Sequence, residues 1–133
     1  MALKLTPALK ALFDAKNFAH VATLNEDGSP QVSPVWVAYD GEHVIFNTGK
    51  KRLKTKNMKR DPRVALTVQN LQNPYQYVEV RGKVLEITEK DGEAGIDGMS
   101  KKYLGQDKYP GSNPGDVRVN VKIEIEHITG QGI

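Results

Sequence analysis

The chain has no cysteine, one tryptophan, three histidines and three phenylalanines among its 133 residues. Without cysteine there is no disulfide framework and no thiolate metal site, and that absence fits a cytoplasmic protein. His20, His43 and His127 fall on separate strand-like segments with no ligand spacing, so ordinary strand-face histidines are expected and a metal site is not. No run approaches the ~20 apolar residues of a membrane span, so none is expected. Met1 to Leu5 carry no signal-peptide pattern. Ser29, Ser33, Ser100 and Ser112 all lack the context of a nucleophile elbow. There is no Walker or dinucleotide glycine pattern, since Gly49 stands alone before Lys50. If such a chain is an enzyme, it is expected to supply binding and geometry while a cofactor supplies the chemistry.

What is present is local positive charge. Residues Lys50 to Arg63 hold eight Lys or Arg and one acid, Asp61, a net +7 in a chain whose total is +3. The remainder therefore sums to −4, and charge is concentrated rather than spread. The apolar run Val44 to Phe46 leads through Asn47, Thr48 and Gly49 into this segment, whose composition is helical until Asp61-Pro62 ends it. Unpaired N–H groups and the helix dipole make such a helix start a cradle for anions. A solvated basic face is the ordinary reading of a charge run; seven net charges in 14 residues favour an anion site instead.

The length suits one domain over residues 1–133, with a core that a dimer interface would enlarge. Thr6-Pro7 starts a helix, with Leu9, Leu12 and Phe13 at helical spacing up to about Lys16. Phe18 to Leu24 reads as a strand, Asn25 to Gly28 as a hairpin turn, and Gln31 to Tyr39 as the returning strand. Pro34 within it cannot donate to a ladder and marks either a bulge or an edge. Asp40-Gly41 turns the chain into His43 to Asn47. Val64 to Gln69 is a fourth strand, Asn70 to Pro74 a loop, and Tyr77 to Thr88 a fifth strand bent or bulged at Gly82. Glu89 to Leu104 is helical despite Gly92, Gly95 and Gly98, and Gly105 to Gly115 is a loop. From Val117 to Glu126 apolar and polar residues alternate strictly, the mark of a half-buried antiparallel strand. Six strands joined mostly by hairpins, with two or three helices, give a mainly β protein built as a small antiparallel barrel.

Two segments come into question as one site. In Ser33-Pro34-Val35-Trp36 a proline-interrupted strand would present backbone groups and an aromatic to a flat ring, although Trp36 alone is as readily a core residue. The other is Thr48 with Arg52 and Lys54. Tyr103 and Tyr109 lie in or near a loop that would cover a substrate, with packing an equal alternative.

At this point the chain resembles the pyridoxamine-phosphate-oxidase-like split-barrel flavin and deazaflavin oxidoreductases. The likeness runs through the opening helix, Val21-Ala22-Thr23-Leu24, and Asp27 through Trp36. It is most specific over Arg52-Leu53-Lys54-Thr55-Lys56-Asn57-Met58-Lys59-Arg60-Asp61-Pro62-Arg63-Val64 and Tyr77 to Val84, which look most like the branch that uses coenzyme F420. The resemblance implies a six-stranded split barrel that pairs as a homodimer, with two cofactor sites at the interface. By the family pattern Arg52 and Lys54 would take the cofactor's phosphate, with Asn57 nearby. Ser33, Pro34, Val35 and Trp36 would border the tricyclic ring, and Thr48 would lie beside the ribityl chain. Lys50, Lys51, Lys56, Lys59 and Arg60 would attract the polyglutamate tail of F420, a reason to prefer it to FMN with its single phosphate. Tyr75, Tyr77 and Val78 would line the site from a neighbouring strand or the second subunit. The implied activity is hydride transfer from reduced F420 to a small electrophilic or unsaturated substrate. The alternatives are an FMN-dependent oxidase or reductase of the same fold and a non-catalytic F420 carrier. Nucleic acid is not an expected partner, because the stacking aromatics that would accompany such a patch are missing beside it.

Overall fold

The computed structural model describes residues 3–111 and 115–132. Ser112, and part of the loop expected between Gly105 and Gly115, lie outside the described residues. Helix α1 spans Pro7–Asp14, capped by Thr6, whose hydroxyl accepts from the Leu9 N–H at 3.3 Å. Strands follow at Ala19–Leu24 (β1), Pro30–Val35 (β2), Val37–Tyr39 (β3) and Val44–Gly49 (β4). Helix α2 spans Leu53–Arg60, and strands β5 and β6 span Arg63–Asn70 and Asn73–Thr88. Helix α3 spans Gly92–Leu104 and strand β7 spans Arg118–Gln131. No described helix is long and apolar enough to cross a membrane.

All pairings are antiparallel, in the order β2-β1-β5-β6-β7-β4-β3. The mainly β split barrel is there, with seven strands where six were expected. The single strand expected from Gln31 to Tyr39 is broken at Trp36, so β2 pairs with β1 while β3 pairs with β4. The two ends of the sheet are thus consecutive in the chain, and the sheet curls round to bring them together. Pro34 makes no bulge: the β1–β2 register runs unbroken from Ala19↔Val35 to Leu24↔Pro30. It sits instead on an edge strand, where its missing N–H costs no ladder bond.

The break at Trp36 leaves the Val37 peptide without strand partners on one side, and α3 supplies them. Tyr103 Oη accepts from the Val37 N–H at 3.1 Å and donates to the Asn17 carbonyl at 2.6 Å. Lys102 Nζ donates to the Val37 carbonyl at 2.7 Å and also to that of Phe13. Burial pulls the Lys102 ammonium down to about 8, opposed in part by Asp14, and raises the Tyr103 phenol.

The inward face follows the period-two pattern. On β7 Val119, Val121, Ile123 and Ile125 are buried, together with Val21, Val37, Val44, Phe46, Val68, Val78 and Val80 from the other strands. Helix α1 closes one end with Leu12 and Phe13, the latter fully buried and tilted against Tyr39 at 6.1 Å. Burying one such side chain stabilises the fold by ~1.5–3 kcal/mol.

Strand β6 begins earlier than expected, at Asn73 rather than Tyr77, because Asn70 and Asn73 pair across a tight turn. The turn is held by their side chains, which accept from the Gln72 N–H at 2.9 Å and the Tyr75 N–H at 3.3 Å. The glycines of α3 have a packing reason. A Cβ on Gly92 would stand 2.0 Å from the Arg118 carbonyl, and one on Gly95 2.0 Å from Asn120 Oδ1. Close approach to β7 outweighs their weak helix propensity.

At Gly82 the β6–β7 register shifts, and a Cβ there would lie 1.9 Å from the Glu124 carbonyl. Gly82→Ala must force two backbones apart, and the expected loss is about 1–3 kcal/mol, the usual cost of overpacking. Urea denaturation measures it; a loss below ~0.5 kcal/mol would mean the strands part freely at this point.

Candidate functional site

Because Trp36 leaves the ladder, the Pro34-Val35-Trp36 segment stands as one wall of a cleft of about 260 Å³. Tyr103 stacks on the indole at 5.2 Å and 6° between planes, and Phe18 stacks on Tyr103 at 5.8 Å. Tyr109 meets the indole edge-on at 5.7 Å and 84°. Each contact lies within the range of favourable aromatic pairing. Trp36 is therefore neither plain core nor free surface, but the half-buried centre of an aromatic group.

The opposite wall is cationic. The corner from β4 into α2 is fixed by Thr55, whose hydroxyl donates to the Gly49 carbonyl at 2.6 Å. The Arg52 stem lies across Gly49, so that an added Cβ would come 3.2 Å from its Cγ. Arg52 is the N-cap of α2 and no side chain caps the helix start, which leaves that turn suited to an anion. Lys54, in the first turn of α2, is only 4% exposed yet has no ion pair with any described carboxylate. Burial holds its ammonium below the ordinary lysine range, and the nearby Arg52 and Arg118 lower it further.

Arg118 is the third cation of the cleft, and sequence reasoning missed it. It stood in the alternation as one polar residue on the solvent side of a strand. The register places it opposite Gly49, at the cleft. Its Nε donates to Asn47 Oδ1 at 2.8 Å, and its guanidinium lies 5.4 Å from the Tyr109 ring centre. Burial lowers its pKa and Arg52 adds to this, while Tyr109, Asp116 and Glu93 oppose it. Asn47, also missed, ties the site to α3: its Nδ2 donates to the Gly92 carbonyl and to Asn120 Oδ1, both at 2.8 Å. Only the β4–β7 register puts residues 47 and 118 together, so no one-dimensional signal marks them. Ile96 and Phe18 complete the lining, and no carboxylate contributes to it among the described residues.

Of the residues singled out from sequence, the cleft brings together Pro34, Val35, Trp36, Thr48, Arg52 and Lys54, with Tyr109. It does not include the rest. Ser33 lies beside it on β2, its Oγ buried without a hydrogen-bond partner. Asn57 is buried and donates to Thr23 Oγ1 at 3.0 Å and Asn25 Oδ1 at 2.9 Å. Arg60 donates to the Leu24 carbonyl at 2.6 Å and to Asn57 Oδ1 at 3.1 Å. These two lock α2 to the β1–β2 turn and so hold Lys54 in place from behind. Lys59 is exposed on α2, and Tyr77 is half-buried on β6 away from the cleft. Val78 is fully buried among the core residues. Lys50 is engaged with Glu89 at 2.9 Å.

A profile described as pyridoxamine 5'-phosphate oxidase matches residues 5–132. Among solved structures, one named F420 reductase is 32% identical, with a TM-score of 0.82 over 94% of this chain and 98% of that one. A candidate pyridoxamine 5'-phosphate oxidase from Lactobacillus delbrueckii is 26% identical, with a TM-score of 0.67 over 95% and 93%. A conserved hypothetical protein from Mycobacterium tuberculosis, 21% identical, shares the fold with a TM-score of 0.75 over 98% and 86%.

The lowered Lys54 pKa sets a sign for stability. At low pH the lysine is charged in both states and the folded chain bears the full cost of the buried charge. As pH rises through the folded value toward 10.5, the folded chain sheds the proton first and that cost fades. Without ligand, Lys54→Met is expected to be more stable than the parent at pH 7, by a margin that shrinks as pH approaches the ordinary lysine range. Urea midpoints across pH check this. A variant that is less stable at pH 7 would show that the fold, not a ligand, satisfies the Lys54 charge.

Proposed function

The chain belongs to the pyridoxamine 5'-phosphate oxidase family, and from that premise we propose an oxidoreductase that holds the deazaflavin F420 in this cleft, completed by a second copy of the chain. The observation that carries the reading is the cation set. Arg52, buried Lys54 and Arg118 face one cleft with no carboxylate in its lining, an arrangement that costs stability until an anion fills it. A phosphate ester fits that donor set, and a planar ring fits the Pro34-Val35-Trp36 wall beside it.

Bound in its reduced form, F420 supplies a hydride. The protein's part is to bind, orient and exclude water. Arg52 and Lys54 hold the phosphate with Arg118 beside them, and the Thr48 hydroxyl flanks the chain between phosphate and ring. Pro34, Val35 and Trp36 keep one side of the ring dry, while Ser33, its Oγ buried beside the cleft and outside its lining, adds nothing to that wall. Such fixed approach of donor and acceptor lowers a transfer barrier by several kcal/mol. The acceptor is a small electrophilic or unsaturated organic molecule.

The preference for F420 over FMN rests on the 32%-identical relative named F420 reductase and on Lys51, Lys56 and Lys59, which are exposed around α2. These remain for an anionic tail after Lys50 and Arg60 are engaged within the fold. FMN on the same cradle is the second reading, in keeping with a family of flavin-related oxidoreductases. Size supports the second copy. A cleft of about 260 Å³ falls short of the ~300–1,000 Å³ of most small-molecule sites, and a partner's Tyr77 and Tyr75 would supply a further wall. Val78, packed in the core, has no place in that wall.

Parallel titrations with F420 and FMN test the reading. F420 is expected to bind more tightly, with the steeper loss as salt rises. Arg52→Ala with Lys54→Ala should weaken either ligand by about 1.5–3 kcal/mol per charge-assisted contact. Parent-like affinity in the double variant would remove the phosphate assignment. Sedimentation analysis should find a dimer, and a monomer that binds F420 with full affinity would remove the shared site.

A further inference from the structure

Tyr109 forms part of the cleft, yet it comes from the loop after α3, which no strand supports. One carboxylate on α3 sets its position. The Tyr109 N–H donates to Asp97 Oδ1 at 2.8 Å, and Lys108 Nζ reaches Asp97 Oδ2 at 3.4 Å. One turn further along α3, the fully buried Ser100 donates its hydroxyl to the Lys108 carbonyl at 3.2 Å. The peptide between residues 108 and 109 is therefore bound to α3 through both its carbonyl and its N–H. Beyond it the chain folds back closely over the ring, since a Cβ on Gly111 would stand 2.5 Å from Tyr109 Oη. So fixed, the Tyr109 ring stands nearly perpendicular to Trp36 and turns its face to the Arg118 guanidinium.

We propose that Asp97 is the positioning residue of this site: by latching the Lys108–Tyr109 peptide to α3 it holds Tyr109 against Trp36 and Arg118 as the wall that retains a bound ring. The inference deepens the proposed function and rests on it for the identity of the ring. The acceptor role of Asp97 is the one that matters. Lys108 is largely exposed, its side chain 88% accessible, and a surface pair of that kind contributes little. The backbone bond from Tyr109 is charge-assisted and so the stronger. Asparagine keeps an acceptor at this position and alanine does not, which separates the latch from a general effect on α3.

Trp36 is the only tryptophan, so its emission reports this contact in the full chain without any ligand. Asp97→Ala is expected to move that emission in the same direction and by the same extent as Tyr109→Ala. Asp97→Asn should recover most of the parent signal, and Lys108→Ala should leave it in place. With F420 or FMN bound, stopped-flow displacement should show dissociation about tenfold faster in Asp97→Ala, the size of one such hydrogen bond, with association little altered. The Asp97→Ala, Tyr109→Ala pair should be no faster than Tyr109→Ala alone. Unchanged Trp36 emission in a folded Asp97→Ala protein, or additive effects in the double variant, would overturn the proposal. If neither F420 nor FMN binds the parent chain, the functional reading fails, while the ligand-free emission still decides the latch.

Discussion

The rest of the structure depends on how the backbone of one residue, Val37, is bound. Where the strand from Pro30 to Tyr39 breaks at Trp36, the Val37 N–H and carbonyl are taken up by Tyr103 Oη and Lys102 Nζ. A buried peptide left without partners costs on the order of 1–3 kcal/mol per group, so the break persists only because α3 supplies these bonds. With it, one length of chain serves both ends of the sheet. The same interruption carries Trp36 out of the ladder to the cleft and stacks it on Tyr103. Barrel closure, the placing of α3 and the aromatic wall are thus one event described three ways.

The electrostatics of the cleft run against folding rather than with it. Three cations converge from a corner, a helix and a distant strand, and each of Lys54 and Arg118 is lowered by burial and by a like-charged neighbour. A buried lysine beside two further cations is not kept for stability. This charge is kept in place by hydrogen bonds to neutral acceptors: Asn57 and Arg60 hold α2 from behind, and Asn47 holds Arg118 from the side. Proteins store strain of this kind at functional sites and compensate for it elsewhere.

Much of this was legible in the sequence, because period-two alternation and turn residues are local signals. The Val117–Glu126 alternation, the Thr6-Pro7 cap and the basic helix stopped by Asp61 needed no tertiary knowledge. The strand break was half legible. Pro34 signalled an irregularity, but the fracture falls two residues later, at Trp36, where the barrel must turn its corner. The glycines of α3 looked like defects until the approach of β7 explained them. Arg118 and Asn47 were hidden for a plain reason: they are 71 residues apart and meet only through the β4–β7 register. Asn57 and Arg60 belonged to the most specific motif of the resemblance, yet within this chain their side chains are spent on the β1–β2 turn. A motif names a helix, and the side chains on its two faces need not share a purpose.

Strand β2 lies at the end of the sheet order, and an uncovered strand edge invites a second chain to add itself and propagate. Within β2, residues 30, 32 and 34 point their peptide groups to the same side, and two of the three are prolines. That side offers Val32 as its one N–H donor, with Val32 itself 63% exposed. A foreign strand would find carbonyls but a single N–H, too few donors to extend a ladder, so the prolines act as a guard against runaway assembly. The residues that permit the corner at Trp36 also keep the open margin of the barrel from becoming a template.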